Sequence, residues 1–275
     1  MKRIQVWNYL SEYDELRDTI LSAVDDVFSS GQLILGERVA TLEADMASYI
    51  GVSETGIGVN SGTDALFIAL KSLGIGPGDE VIVPCNTWIA TAHAAMLVGA
   101  KVKLVDVLSD RPIIDHEKIA EKITSRTRAI IPVHLNGRAA NTKEIKKIAS
   151  KYNILVIEDA CQAMFSKNEY GFLGTQSIAG CFSLGVTKLI TTGQGGMVVT
   201  NDKEMYNKLL LVRNNGMESI LTPKYERFGV NFKFTDILAA VGIAQLNIIK
   251  DHAKSIYELY KKYDDALKNM SLIKL

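Results

Sequence analysis

The sequence predicts an α/β fold in which helices cover both faces of a mainly parallel β-sheet. Short apolar runs such as 80–84 and 129–133 alternate with stretches whose apolar residues recur at helical spacing. The 275 residues, 47% of them hydrophobic, are enough for one large domain or two modest ones. Because ligands bind at the carboxyl ends of strands in such sheets, residues that directly follow a strand are the candidate site residues.

Helices are predicted where apolar residues recur every three or four positions. In chain order they cover 11–30, 37–49, 65–73, about 90–98, 142–151, about 203–213, and one long final helix after 235. Gly31 and Gly51 follow the first two helices and are expected to end them. The final helix is expected to be continuous because its apolar positions run from Leu238 to Leu267.

Strands are predicted at the short apolar runs that turn residues bound. In chain order they cover 56–60, 80–84, 101–107, 129–133, 154–157, 179–183 and 196–200. The turn at 76–79 contains two glycines and a proline, and it directly precedes the second strand.

The charge balance excludes a nucleic-acid footprint. Lys and Arg number 31, as do Asp and Glu, so the formal net charge is zero. The three cysteines, Cys85, Cys161 and Cys181, have neither an even count nor CxxC spacing. The sequence therefore predicts no disulfide framework and no metal site, and it suits a reducing cytoplasm.

Motifs for other protein classes are missing from the sequence. The first residues lack the apolar region of a signal peptide, and no window of about 18 apolar residues predicts a membrane span. Neither GxGxxG nor GxxxxGK[ST] occurs, so dinucleotide and P-loop nucleotide binding have no support. We expect a cytoplasmic protein without a membrane segment.

A carboxylate and a lysine point to pyridoxal phosphate chemistry. The strand at 154–157 leads into Glu158 and Asp159, and Lys188 follows 29 residues after Asp159 between Ser/Thr and Gly-rich flanks. A lysine amine forms an imine with the cofactor aldehyde, and a carboxylate keeps the pyridine nitrogen protonated. The alternatives are a surface lysine for Lys188 and a strand-end cap for Asp159.

Three further segments follow predicted strands, and each has two interpretations. Ser61-Gly-Thr-Asp64 precedes an apolar helix, where its backbone N–H groups would bind a phosphate, or it is a plain N-cap. Trp88 stacks on a flat cofactor or is ordinary packing. His134 is a site residue or a hydrogen-bonded turn histidine.

Five segments in order resemble one family. They are Asn60-Ser-Gly-Thr-Asp-Ala-Leu66, Pro84-Cys-Asn-Thr-Trp-Ile-Ala-Thr91, Glu158-Asp-Ala-Cys-Gln-Ala163, the pair 182–188 and 193–196, and Gly229-Val-Asn-Phe-Lys233. From about residue 35 to 246 the chain resembles the DegT/DnrJ/EryC1/StrS family of pyridoxal-phosphate-dependent sugar aminotransferases. The resemblance implies the aspartate-aminotransferase-like fold (fold type I), with a seven-stranded sheet.

The resemblance implies roles around the cofactor ring. Lys188 would hold the cofactor as an imine and then shuttle a proton, while Asp159 would bind the pyridinium nitrogen. Gln162 would lie near the ring hydroxyl and Trp88 would stack on the ring. His134 would lie on the substrate side. Gln162 as an ordinary hydrogen-bonding residue is the alternative.

The resemblance also implies a phosphate site. Gly62 and Thr63 would donate backbone N–H groups to the phosphate, together with the hydroxyl of Ser183, which is otherwise an ordinary hydrogen-bonding residue. Asn231 would reach the phosphate of the neighbouring subunit's cofactor. The active site would therefore need a homodimer.

The reaction implied is transamination, because the dehydratase branch of this family has a histidine in place of Lys188. By analogy glutamate would be the amino donor and a nucleotide-linked keto-deoxy sugar the acceptor, for a surface polysaccharide or a glycosylated metabolite. One alternative is sugar dehydration on the same fold. Another is a non-catalytic protein of this fold that acts in regulation or assembly.

The resemblance implies two domains. Residues 1–250 would form the large cofactor-binding domain with an N-terminal arm, and 251–275 would begin a small C-terminal domain that is largely absent. The chain is then a fragment, a truncated protein or a naturally short member.

Overall fold

The structure is a computed structural model that describes residues 8–54, 56–218 and 223–270. Over these residues its α-helices are α1 (Tyr9–Ser30), α2 (Glu37–Tyr49), α3 (Gly62–Ser72), α4 (Ala90–Leu97), α5 (Thr142–Lys151), α6 (Lys203–Arg213), α7 (Asp236–Leu246) and α8 (Ile249–Leu267). Its strands are β1 (Ile57–Val59), β2 (Glu80–Pro84), β3 (Lys101–Val105), β4 (Thr127–Ile130), β5 (Leu155–Asp159), β6 (Lys167–Asn168), β7 (Gly171–Phe172), β8 (Ala179–Ser183) and β9 (Gly196–Val199).

A seven-stranded sheet in the order β1-β9-β8-β5-β4-β2-β3 forms the centre of the fold. The β3–β2, β2–β4, β4–β5 and β5–β8 pairs are parallel, whereas β9 is antiparallel to both β8 and β1. Strands β6 and β7 form a separate two-stranded hairpin. The prediction of an α/β fold with a mainly parallel sheet is confirmed.

Helices cover both faces of the sheet because its strands are apolar on both sides. In β2, Val81 and Val83 belong to the core that α3, α4 and α6 complete, and Ile82 between them belongs to the core beneath α5. Phe182 of β8 and Met197 of β9 pack against α2 and α7 in a third core. This alternation is the two-residue period of a strand.

One predicted element is wrong. The final helix is not continuous but consists of α7 and α8, separated by Asn247 and Ile248. The N–H of Ile248 bonds to the carbonyl of Gln245, three residues back, so the four-residue ladder ends there. Ile249 then begins α8 with its side chain buried. The proposed domain boundary after residue 250 lies in the first turn of α8 and stays a prediction.

A buried carboxylate joins α7 to α2. Asp236, the first residue of α7, accepts hydrogen bonds from the N–H groups of Gly36, Arg38 and Val39 at 2.8, 3.0 and 3.2 Å. It thereby satisfies N–H groups at the start of α2, where the helix has no carbonyl partners of its own. The two helices are fixed against the sheet as a pair.

Within the described ranges, no helix has the length and apolar character needed to cross a membrane. Among the same residues, no three His, Cys, Asp or Glu side chains are grouped so as to hold a metal ion.

Candidate active site

A cavity of about 990 Å³ opens at the carboxyl ends of the parallel strands. Loops that follow β1, β2, β4, β5 and β8 form its walls. Seven of the predicted site residues line it: Gly62, Thr63, Trp88, Asp159, Gln162, Ser183 and Lys188. Segments far apart in the chain thus meet where the fold predicts a ligand site.

Asp159 is the last residue of β5 and is only 5% exposed. Its Oδ1 accepts the N–H of Cys161 at 3.1 Å, and its Oδ2 accepts the hydroxyl of Thr91 at 2.7 Å. A buried carboxylate requires such partners. The two hydrogen bonds fix the orientation of the carboxylate in the cavity wall.

Lys188 is half-buried in the loop between β8 and β9. Its N–H bonds to the carbonyl of Gly185 at 3.0 Å, a local turn that holds the lysine backbone. Farther along the loop, the side-chain amide of Gln245 makes two hydrogen bonds to the backbone of Thr191. Its Oε1 accepts the Thr191 N–H at 2.9 Å, and its Nε2 donates to the Thr191 carbonyl at 2.6 Å. The lysine loop is therefore attached to α7.

The N-terminus of α3 forms another wall of the cavity. Ser61 is the N-cap, and its Oγ accepts the N–H of Asp64 at 3.0 Å. A Cβ added to Gly62 would lie 2.8 Å from Sγ of Cys161 and 2.9 Å from Cβ of Ser183. Only glycine allows this close approach, which presents the positive end of the helix to the cavity.

Gln162 is oriented by a neighbouring loop. Its Oε1 accepts the N–H of Asn136 at 3.1 Å. Asn136 has a φ of +53° in the left-handed region, which asparagine tolerates better than most residues. Since the amide oxygen is used, the amide nitrogen of Gln162 is left to donate to a ligand.

Two thiols lie beside Asp159, with Cys181 buried and Cys161 half-buried. Burial raises the pKa of Cys161 and of Cys181 well above the ordinary range, and the negative charge of Asp159 raises both further. Both thiols are therefore protonated at neutral pH, with Cys161 in the cavity wall and Cys181 in the hydrophobic core.

A model of the DegT/DnrJ/EryC1/StrS aminotransferase family matches residues 14–275, nearly the whole chain. The chain belongs to this family.

Among family members, GDP-perosamine synthase of Caulobacter vibrioides is 38% identical over 251 residues, which cover 91% of this chain and 67% of that protein. The crystal structure of S. venezuelae DesV in complex with a ketimine intermediate superimposes with a TM-score of 0.93. The sequence identity is 34%, over 98% of this chain and 72% of that one.

Bacillus subtilis NtdA with bound cofactor PMP gives a TM-score of 0.85 at 30% identity, over 94% of this chain and 59% of that one. The chain spans between 61% and 71% of the lengths of four curated relatives. It therefore corresponds to about two thirds of such proteins.

The expected place of His134 on the substrate side is wrong. The side chain is 0% exposed, and Nδ1 accepts the N–H of Ala140 at 3.1 Å. Nε2 therefore carries the ring proton and donates to Oε2 of Glu158 at 2.9 Å. Because both ring nitrogens are used inside the core, His134 is the hydrogen-bonded turn histidine of the other interpretation.

Trp88 and Asn231 differ in their relation to the cavity. Trp88 lines it with 71% of its surface exposed, so its indole is free to contact a ligand. Asn231 is exposed, pairs through its backbone with Asn214, and does not line the cavity of its own chain. Its expected contact with the cofactor of a neighbouring subunit stays a prediction.

Thr91 is a residue of the site to which the sequence assigned no role. It is 0% exposed and donates to Asp159 across 68 positions of sequence. The segment from Pro84 to Thr91 marked it as part of a family motif, but nothing local in the sequence relates a threonine in a helix to a distant carboxylate.

Proposed function

We propose that this aminotransferase-family chain binds pyridoxal phosphate in the cavity and transfers an amino group to a keto-deoxy sugar carried on a nucleotide. Glutamate would be the donor. The observation that carries the proposal is that Lys188 and Asp159 line the same cavity as the N-terminus of α3. The relative named GDP-perosamine synthase supports a nucleotide-sugar substrate, and PMP bound to NtdA supports the cofactor.

The shape and chemistry of the cavity fit this cofactor. The close approach at Gly62 exposes backbone N–H groups at a helix N-terminus, which suits a phosphate. Ser183, at the end of β8, adds a hydroxyl to the same wall. Asp159 offers a buried, fixed carboxylate for a pyridine nitrogen, and Gln162 offers an amide donor for a ring oxygen.

Three residues of the cavity would have separate roles in the reaction. When bound, the cofactor supplies the electron sink that transamination needs. Asp159 would stabilise positive charge on the cofactor ring, and Trp88 would cover one face of the ring. Nζ of Lys188 would anchor the cofactor covalently and, as a free amine, would take up and return a proton.

We further propose a homodimer in which Asn231 completes the partner's site. The support is that Asn231 is exposed and lies outside the cavity of its own chain. We propose a cytoplasmic location on the basis of the three free cysteines, one of them exposed, which suit a reducing compartment.

The test is to trap the lysine. Purified protein is mixed with pyridoxal phosphate, its visible spectrum is recorded, and the adduct is reduced with borohydride and mapped by peptide mass spectrometry. We expect a visible band and a reduced adduct on Lys188. Lys188→Ala should lose both, with transamination falling to background, while Lys122→Ala at an exposed lysine should behave as wild type.

An adduct spread over surface lysines, or turnover that persists in Lys188→Ala, would overturn the assignment. Product analysis with a nucleotide keto sugar separates transamination from dehydration. Formation of an amino sugar together with conversion of glutamate to its keto acid supports the proposal. A deoxygenated sugar formed without transfer of an amino group contradicts it.

A further inference from the structure

Two threonine hydroxyls connect Asp159 to the surface of the cavity. Thr91 is fully buried, and its Oγ1 lies 2.7 Å from Oδ2 of Asp159. Thr87 is half-buried and lines the cavity, with its Oγ1 2.9 Å from Oγ1 of Thr91. The three side chains form one continuous row of hydrogen bonds.

The direction of donation along this row follows from the carboxylate. An ionised carboxylate accepts hydrogen bonds and donates none, so the single proton of Thr91 points to Asp159. The other acceptor within reach, the carbonyl of Trp88, is farther away at 3.1 Å. The hydroxyl of Thr87 must then donate to Thr91, and this polarises the Thr91 hydroxyl toward the carboxylate.

We propose that Thr91 is a positioning residue for Asp159, assisted by Thr87; this inference rests on the proposed cofactor site. With Oδ1 fixed by the N–H of Cys161, the Thr91 hydroxyl is the second contact that prevents the carboxylate from turning. A fixed carboxylate keeps the proton on the pyridine nitrogen and so maintains positive charge on the cofactor ring.

Other groups beside Asp159 do not take over this function. The thiol of Cys161 is half-buried and lies 3.6 Å from the carbonyl of Cys181, and Cys181 itself is buried. Lys188 lines the same cavity from the loop that follows β8, the strand next to β5. His134 and Glu158, on the other side of the β5 end, are paired with each other. Among the described residues, Thr91 is the hydroxyl that donates to the Asp159 carboxylate.

A purely structural role for Thr91 is the competing explanation. Its hydroxyl also lies within reach of the Trp88 carbonyl at the start of α4, where it would simply stabilise the helix end. Such a role affects folding but leaves the ionisation of a bound cofactor unchanged. A measurement on the cofactor itself separates the two roles.

The experiment compares Thr91→Val, which removes the hydroxyl at similar volume, with Thr91→Ser, which retains it. Thr87→Val removes the second hydroxyl. Thr200→Val is the matched control: this buried hydroxyl donates to the carbonyl of Ile178 at 2.7 Å, at the amino end of β8, whereas Asp159 lies at the carboxyl end of β5. Each protein is loaded with pyridoxal phosphate, and its visible absorbance is titrated with pH. Cofactor affinity and the thermal midpoint are also measured.

We expect the titration midpoint of Thr91→Val to move to higher pH by roughly half to one unit, because a ring with less positive charge repels the imine proton less. Cofactor affinity should fall several-fold. Thr91→Ser should restore both values, Thr87→Val should show a smaller shift, and Thr200→Val should show none.

A wild-type midpoint and affinity in Thr91→Val would overturn the inference while leaving the proposed function intact. Equal shifts in Thr91→Val and Thr200→Val would also overturn it, since they would reflect general loosening. A wild-type protein without a visible band would instead overturn the proposed function, and the inference with it.

Discussion

At the scale of single residues, the site depends on how closely main-chain segments approach one another. Gly62 brings the first turn of α3 against Cys161 and Ser183, where a Cβ would lie under 3 Å from both side chains. The neighbours are a strand end and the loop after β5, so neither is free to move aside. The absence of a side chain is therefore what positions the helix N-terminus.

Gly62→Ala should weaken cofactor binding about tenfold or more, because overpacking of this kind typically costs about 1–3 kcal/mol and would shift the helix end. Gly76→Ala is the matched control, since its new Cβ would meet only the carbonyl of Val98 at 3.6 Å. Spectroscopic titration with the cofactor measures both. Equal affinity in the two variants would show that the close approach at Gly62 does not matter for binding.

Single residues were predictable where the sequence marks them locally. Lys188 and Asp159 stand out because each interrupts an unusual local composition, a Gly/Thr-rich loop or an apolar strand. Thr91 did not stand out, since its partner is 68 positions away. His134 was misplaced because a strand end predicts proximity to the site but not the direction of the side chain.

At the scale of elements, one buried carboxylate organises the segments behind the site. Oε2 of Glu158 accepts hydrogen bonds from His134 at 2.9 Å and from the N–H of Gly174 at 3.0 Å. Oε1 accepts the N–H of Gln176 at 2.8 Å and the hydroxyl of Ser177 at 2.9 Å. Burial alone would raise the pKa of Glu158, but these donors, led by His134, hold it below its ordinary value of 4.5.

Glu158→Gln should destabilise the fold by about 3 kcal/mol, because each carboxylate oxygen faces two donors and either orientation of the amide sets its NH₂ against them. Glu121→Gln, at an exposed glutamate, should leave stability unchanged. Chemical unfolding at neutral pH measures the difference. Equal stability of the two variants would contradict the role of Glu158.

The lowered pKa of Glu158 predicts that the stability of the protein depends on pH in the acidic range. A folded-state pKa below 4.5 means that Glu158 contributes its full stabilisation at neutral pH. This contribution declines as the pH falls below 4.5 and is lost below the folded-state value. We expect the free energy of unfolding to fall less steeply on acidification in Glu158→Gln than in wild type. Parallel curves would contradict this.

Elements were predictable where periodicity and turn residues coincide, as for α2, α3 and β2. The break between α7 and α8 was missed because no glycine or proline marks it and apolar residues continue through Ile248 and Ile249. Ile249 is buried in the core with residues from distant parts of the chain, and such tertiary contacts are not visible in the local sequence. The two-residue strands β6 and β7 are too short to show a period.

At the scale of the whole molecule, the proposed homodimer predicts that two defective variant subunits form one complete site when they are combined. A hybrid of one Lys188→Ala subunit and one Asn231→Ala subunit, purified through two tags, has one site with both residues and one with neither. We expect it to bind one cofactor per dimer with wild-type affinity.

Both parent homodimers serve as controls: Lys188→Ala should form no lysine adduct, and Asn231→Ala should bind the cofactor more weakly at both sites. A hybrid that binds as weakly as the Asn231→Ala homodimer would show that Asn231 acts within its own chain. Sedimentation velocity tests whether the protein is a dimer.

The walls of the cavity come from segments as far apart as Gly62 and Gln194, and the lysine loop is attached to α7 at Gln245. The site thus forms only when these distant segments have come together in the folded chain. A ligand of this cavity therefore shifts the folding equilibrium by mass action. At a free concentration one hundred times its dissociation constant, it adds about 2.7 kcal/mol to the stability of the chain. The cellular concentration of pyridoxal phosphate would then affect the lifetime of this protein as well as its catalytic rate.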